Sequence, residues 1–416
     1  MRRLRRLTSA LAMVVLGVSG VVAQAPPASA TGQVSLEATY TTSLQNGWAQ
    51  VERYRDASTG FATEAYPPGG VGDQTGQTRR FFGDVAQPHS SRFLLYHAPG
   101  WQSGSKAVPV LLVHGANQTA DQAWANPNVL GDYGCGRTTC PSTGLMQYLD
   151  ARGYKVFAIG FPHKTGDGYR WSEQIRDAIQ IIRTKTGASQ VDLIGWSKGA
   201  FNARMYVSSL RQSWGSAYGG DVRKLVLVGG PNKGFDWGYR HGWSHDFAIY
   251  PDCGGALNAP APHTSMVCYG LWRDGTQLSY EGTAFPGGRQ MLARWDSVYP
   301  LPTAEQDWYT TYYGGTGFYT KGRGIQYSID QGSLVQPMIN AGVPSSVAVY
   351  QLCGSMPDMP LMHNEHTGPS DGAVFIASCA ATDGIANRVA TATLPLNHLR
   401  LGWDSGAEAQ MAAWLG

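Results

Sequence analysis

From Val108 onward, short unbroken apolar runs alternate with stretches whose apolar residues recur at helical spacing. "VPVLLVHG", "KVFAIGFP", "QVDLIGWS" and "VRKLVLVGGPNKG" each begin as a run that reads as a strand buried on both faces. Between the first two, "STGLMQYLDARGY" sets Leu145, Met146, Tyr148 and Leu149 at roughly helical spacing. Between the next two, "YRWSEQIRDAIQIIRTKTG" puts Ile175, Ala178, Ile179 and Ile182 on one face, and Gly187 supplies a stop. "KGAFNARMYVSSLRQSWG" is predicted as the helix that follows the third strand. Strand and helix alternating at this pace predict right-handed crossover units. The predicted fold class is therefore α/β, a mostly parallel central sheet with helices on both faces.

The pattern is different on either side of this block. Residues 31–106 carry strand-like runs, "AQVERYR" and "SRFLLYH", between Gly/Pro turns, and read as N-terminal strands and irregular loops at a sheet edge. Residues 233–340 lose clean periodicity and are rich in Trp, Tyr, Gly and Pro. The alternation resumes at "SSVAVYQLCG", continues through "GAVFIASC" and "RVATATLPL", and ends in the helix-like "GAEAQMAAWLG". The predicted division is thus a core of residues 107–232 and 341–416, interrupted by a 233–340 insertion placed to cap it. No internal repeat is visible.

The N-terminus adds a compartment. "MRRLRRLTSALAMVVLGVSGVVAQAPPASA" has an Arg-rich start, an apolar run and the small residues Ala28, Ser29 and Ala30, the order of a secretory signal peptide over residues 1–30. The apolar run is short for a bilayer and is followed by Pro-Pro, so no transmembrane segment is expected and the mature chain is expected to be secreted. The leader holds Arg2, Arg3, Arg5 and Arg6 and no acid, so its loss takes the formal charge from +3 to −1. A near-neutral chain has no electrostatic footprint for nucleic acid. Six cysteines in an exported chain favour disulfides, and their clustering suggests Cys135–Cys140, Cys253–Cys268 and Cys353–Cys379.

Candidate chemistry centres on "LIGWSKG". Gly-x-Ser-x-Gly is a weak signal in a chain with 53 glycines, but here it stands between a predicted buried strand and a predicted helix. That is where a nucleophile elbow exposes its serine on a strained turn, with Gly195 and Gly199 letting strand and helix approach. Ser197 then needs a base, and the base needs an acid to orient it, in the chain order Ser, acid, His. His398 in "LPLNHLRLG" follows the last predicted strand, and Asp371 in "SDGAVFIAS" follows the one before. Asp383 is the main competitor for the acid, and Asp358 a weaker one. A tetrahedral intermediate needs two N–H donors. Lys198, next to the nucleophile, supplies one; Ala116 in "HGANQT" supplies the other, with Asn117 close by as a candidate and His114 read as a loop-shaping residue.

In this order, "VLLVHGA", "LIGWSKG", "VGGPNKG", "SDGAVFIAS" and "LPLNHLRLG" resemble the secreted bacterial lipases and esterases of the α/β-hydrolase superfamily. The resemblance covers roughly residues 107 to 235 and 345 to 416. It implies the α/β-hydrolase fold, a triad of Ser197, Asp371 and His398, and an oxyanion hole of Ala116 and Lys198. The elbow departs from the family pattern, which usually has His where this chain has Trp196 and Met, Leu or Gln where it has Lys198. Such lipases often hold calcium near the acid loop, and no matching ligand set is found here; no metal and no cofactor are expected.

The insertion carries Trp237, Tyr239, Trp243, Trp272, Trp295, Trp308, Tyr309, Tyr312, Tyr313, Phe318 and Tyr319. Most of these rings are expected to pack one another, and together they predict an apolar cleft for an acyl chain or polyester segment. His241 with His245, and His363 with His366, have chelate spacing but no third ligand. "NQT" at Asn117 fits a glycosylation sequon and reads better as a loop former. The expected function is a secreted carboxylic ester hydrolase acting on a hydrophobic ester, as a monomer, with a lipid or polymer surface as a candidate partner. The alternatives are a polyhydroxyalkanoate-type depolymerase, a serine peptidase or amidase, an acyltransferase, and a non-catalytic aromatic surface-binding module.

Overall fold

The computed structural model describes residues 34–66, 74–129, 140–240, 272–274, 277–279, 286–301, 312–316, 321–322, 324–359 and 367–416. The expected signal peptide lies outside these residues, as do Cys135, Cys253, Cys268, His241, His245, His363 and His366.

The central sheet is built from β1 (Val34–Tyr40), β2 (Gln50–Asp56), β3 (Arg92–His97), β4 (Val110–Val113), β5 (Val156–Gly160), β6 (Val191–Trp196), β7 (Val222–Val228), β8 (Ala348–Gly354) and β9 (Arg388–Leu394). Their spatial order is β1-β2-β3-β5-β4-β6-β7-β8-β9. The first three strands pair antiparallel, and β3 joins β5 antiparallel. The remaining six run parallel. The stretch 31–106 therefore contributes an antiparallel flank to the main sheet.

The unbroken apolar runs are explained by what lies on each face. In β4, Val110 and Leu112 point into one core, and Leu111 and Val113 into the other. In β6, Ile194 and Trp196 share the first core with Val226 and Val228 of β7, and Val191 and Leu193 share the second with Leu225 and Leu227. The first core is closed by α1 (Leu145–Asp150), through Leu145, Met146 and Leu149. The second is closed by α2 (Gly168–Thr186), through Trp171, Ile175, Ala178, Ile179 and Ile182, and by α3 (Lys198–Val207), through Ala200, Ala203 and Tyr206. Asp167 caps α2 by accepting from the Tyr169 and Arg170 N–H groups, and Gly187 ends it at φ 70°. α4 (Ser405–Leu415) returns to the first core through Ala407, Met411 and Leu415.

Two predicted elements differ. The elbow helix stops at Val207 and does not run on to Gly215, because Ser209 takes a left-handed φ of 57°. "GAVFIASC" is a turn followed by a short helix, Ile376–Cys379. Its apolar run is buried, but it carries Cys379 back to Cys353 on β8, to which it is disulfide-bonded. A short apolar run does not by itself separate strand from helix. Cys140 is also disulfide-bonded.

Parts of the 233–340 stretch pack on the core. Phe235, Met291, Leu334, Val335 and Met338 cover Phe201 and Met205 on the outer face of α3. Trp295, Tyr299 and Phe375 form a ring cluster beside the 367–379 segment, with Tyr299 and Phe375 centroids 4.3 Å apart. No helix among the described residues is long and apolar enough to cross a membrane.

Candidate active site

The parallel strands end at one edge, and their register decides which loops meet there. Val113, the last residue of β4, pairs with Gly195, and Trp196 pairs with Val228. The loop that starts at His114 thus leaves the sheet beside the elbow. On the far side, Gly354 pairs with Leu394, so the acid and base segments also emerge as neighbours. Ligand sites in parallel α/β sheets form at these carboxyl ends.

Ser197 sits between β6 and α3 at φ 56° and ψ −122°. A non-glycine residue adopts such a conformation only where its surroundings enforce it. Here the Ser197 N–H donates to Val228 O at 2.8 Å, and the two flanking glycines leave room for the turn. A Cβ on Gly195 would stand 2.6 Å from Gly199 O; one on Gly199 would drive into the backbone of Val113 and His114. Any side chain at either position would push the helix off the strand.

His398 and Asp371 complete a hydrogen-bonded chain. His398 Nε2 lies 2.9 Å from Ser197 Oγ, and Nδ1 lies 2.8 Å from Asp371 Oδ2. The other oxygen of Asp371 accepts from the Val374 and Ala373 N–H groups at 2.7 and 3.0 Å. The His398 N–H also donates to Asp371 O at 2.7 Å. Asp371 is 1% exposed, yet both its oxygens are satisfied, which is what a buried carboxylate requires. Of the competing acids, Asp383 is exposed and pairs with Lys233 at 3.3 Å, and Asp358 meets the base segment only through its carbonyl, which accepts from Asn397 Nδ2.

The oxyanion candidates flank the same serine. A Cβ on Gly115 would lie 3.1 Å from Ser197 Cβ and 3.7 Å from Oγ, so this loop passes over the Ser197 side chain. Among the described residues, neither the Ala116 nor the Lys198 N–H donates to another backbone group. Asn117 takes a left-handed φ of 59° and shapes the loop: its N–H donates to Lys164 O, and Thr165 Oγ1 donates to its side-chain oxygen. His114 is fully buried, and its Nδ1 lies 2.8 Å from Gly115 O. Burial pushes its imidazole down to about 3, outweighing the Gly115 carbonyl, so it stays neutral.

The two unusual elbow residues have definite places. The Trp196 indole faces the first core, 6.1 Å from the Trp124 ring, and its N–H donates to His398 O at 3.1 Å. It therefore braces the base segment from below. The Lys198 side chain turns inward, away from solvent, and its Nζ donates to Asn202 Oδ1 at 2.7 Å. Sequence reading missed Trp171 and Asn202, which receive it. Asn202, four residues along the elbow helix from Lys198, was the available signal.

Among the described residues, one group of three carboxylates has metal-ligand spacing, Asp56, Glu173 and Asp177. Ser58, Ser216 and Arg176 hold these side chains, which share no hydrogen bond with Ser197, His398 or Asp371.

Residues 107–245, which contain the first loop and the elbow, match the family described as Lipase (class 2). Among solved structures, the chain is similar to a lipase of Bacillus licheniformis in its mature form, at 13% identity over 74% of this chain and 90% of that one, with a TM-score of 0.40. It is also similar to a carboxyl esterase of Bacillus coagulans, at 11% identity over 78% and 93% of the two chains, with a TM-score of 0.37. A carboxylesterase of Bacillus subtilis gives 11% identity over 78% and 87%, with a TM-score of 0.35. The described residues form an α/β fold with a mostly parallel central sheet, and the matched segment holds the strand, turn and helix around Ser197.

Proposed function

We propose that the chain is a carboxylic ester hydrolase and that the reaction runs through Ser197, His398 and Asp371. The observation that carries this reading is the unbroken chain from Ser197 Oγ through both nitrogens of His398 to Asp371, mounted on a serine with positive φ. Ser197 Oγ attacks the ester carbonyl as His398 Nε2 takes its proton. Asp371 keeps the proton on Nδ1 and stabilises the imidazolium that forms. The Ala116 and Lys198 N–H groups receive the oxyanion. The intermediate collapses, and His398 returns the proton to the departing alcohol. Water then attacks the acyl-enzyme by the same route and releases the acid.

On this reading the 233–340 insertion caps the site, and its aromatic residues supply an apolar wall for a hydrophobic ester. The leader sends the chain out of the cell. The test is labelling with a fluorophosphonate probe, wild type against Ser197→Ala, followed by p-nitrophenyl esters of increasing chain length. Wild type should label and turn over esters; Ser197→Ala should do neither. A wild type that hydrolyses anilides as fast as the matched esters would favour the amidase alternative. Wild-type label that survives in Ser197→Ala would remove Ser197 from the reaction.

A further inference from the structure

Lys198 offers more than its N–H. Its amine is sealed at 1% exposure, hydrogen-bonded to Asn202 Oδ1 at 2.7 Å and 3.3 Å from the centre of the Trp171 ring. Burial drives its pKa well down, while the Asp167 and Glu64 carboxylates act the other way. Gly287 of the insertion closes over it, since a Cβ there would collide with Lys198 Cε. Burying an amine is costly, and an apolar side chain would fill this space without that cost.

A reason for the amine lies at the far side of Trp171. That ring stacks on Phe161 with centroids 3.7 Å apart, and its Nε1–H donates to His163 O at 3.2 Å. Its edge meets His114 at 5.3 Å, and His114 Nδ1 donates to Gly115 O at 2.8 Å. A carbonyl oxygen and the following N–H lie in one rigid peptide plane and point in opposite directions. Holding Gly115 O therefore aims the Ala116 N–H. The side chain of one proposed oxyanion donor thus reaches, through two rings, the peptide that carries the other.

We propose that Lys198 is a positioning residue whose amine, seated on Trp171 and tethered by Asn202, sets the relative placement of the Lys198 and Ala116 N–H groups. This rests on the Ser197 reading above. The gain falls on the tetrahedral intermediate and not on the bound ester, because only the developing oxyanion uses both donors together.

The test compares wild type, Lys198→Met, Trp171→Phe and the double variant. Each is measured for kcat and KM on a p-nitrophenyl ester and for inhibition by phenylboronic acid, which forms a tetrahedral anion on a serine hydroxyl. Lys198→Met should lower kcat about 10- to 100-fold, leave KM within about twofold, and raise the boronate inhibition constant in proportion to the loss in kcat. Trp171→Phe keeps a ring and should show the same parallel at about threefold; it carries the test if Lys198→Met does not fold. The double variant should be no worse than Lys198→Met, because both remove one contact. A folded Lys198→Met with wild-type kcat and boronate affinity overturns the proposal while Ser197→Ala remains inactive. So does a change in KM alone in either single variant. Activity surviving in Ser197→Ala would instead overturn the Ser197 reading, and this proposal with it.

Discussion

Two polar clusters share the first turn of the elbow helix, and they are built in different ways. In front lie Ser197, His398 and Asp371, which come from three distant segments and meet only because parallel strands end side by side. Behind lie Lys198 and Asn202, one helical turn apart, with Trp171 from the neighbouring helix. The front cluster is open to a reacting molecule through the partly buried serine, and the back cluster is sealed. In front, on the proposed mechanism, a proton moves from Ser197 to His398 while Asp371 holds the imidazolium. Behind, the groups hold distances. Substitutions in front should therefore affect the chemical step with little change in stability, whereas those behind should mix geometry with stability.

The sharpest way to break this comparison is Ser197→Ala. It should lower kcat by at least about 10⁴-fold while the melting temperature stays at the wild-type value. A large fall in melting temperature would mean that the front cluster is structural. Asp371→Asn comes next, with an expected loss of about 10³- to 10⁴-fold in kcat through the wrong imidazole tautomer. Asp383→Asn, on the exposed Lys233 pair, should stay within about twofold. Equal effects from the two aspartates would undo the acid assignment. Trp196→Phe tests the support beneath His398. Losing its bond to His398 O should cost about 1 kcal/mol of stability and several-fold in kcat, read by denaturant melts and steady-state rates.

A buried acid outside both clusters should change stability and leave the chemical step untouched. Glu408 on α4 is pushed up to about 7 by burial, with repulsion from Asp404 adding and Arg152 opposing. Its folded pKa lies above its unfolded value, so the folded state favours the protonated form. Its charge therefore destabilises the fold progressively as pH rises from about 4.5 to about 7. Glu408→Gln should be more stable than wild type by about 1–2 kcal/mol at pH 8, after allowing for partial solvation, and equal to it at pH 4. Equal stabilities at both values would show that the acid is better solvated than its burial suggests. Asp371, more deeply buried than Glu408, is supplied with two N–H donors and an imidazole.

Much of the core was legible because its signals are local. The strand β6 and the helices α2 and α3 follow from apolar periodicity, a stop glycine and the spacing around Ser197. The disulfide between Cys353 and Cys379 agrees with the pairing suggested by sequence proximity. The end of α3 at Val207 was missed because Ser208 and Ser209 carry no strong stop. The turn and short helix after Asp371 were missed because an apolar run of that length fits either element. Trp171 looked like one more core ring on an amphipathic face, and it is one. That it also receives Lys198 and meets His114 depends on how two helices cross, which no spacing along the chain records.

By itself, the sequence determined which residue types stood at strand ends: a serine on a glycine-flanked turn, an aspartate in the loop after β8 and a histidine after β9. These are covalent and local facts, set by propensity and periodicity. The tertiary structure alone decided that β4, β6, β7 and β8 stand side by side, so that residues about 200 positions apart come within hydrogen-bonding distance. It also decided that Lys198 turns inward onto a ring and Trp196 downward onto the base segment. Strand order and helix crossing are outcomes of burying two apolar faces at once. The positions of polar groups at the sheet edge follow from that packing and not from any spacing along the chain.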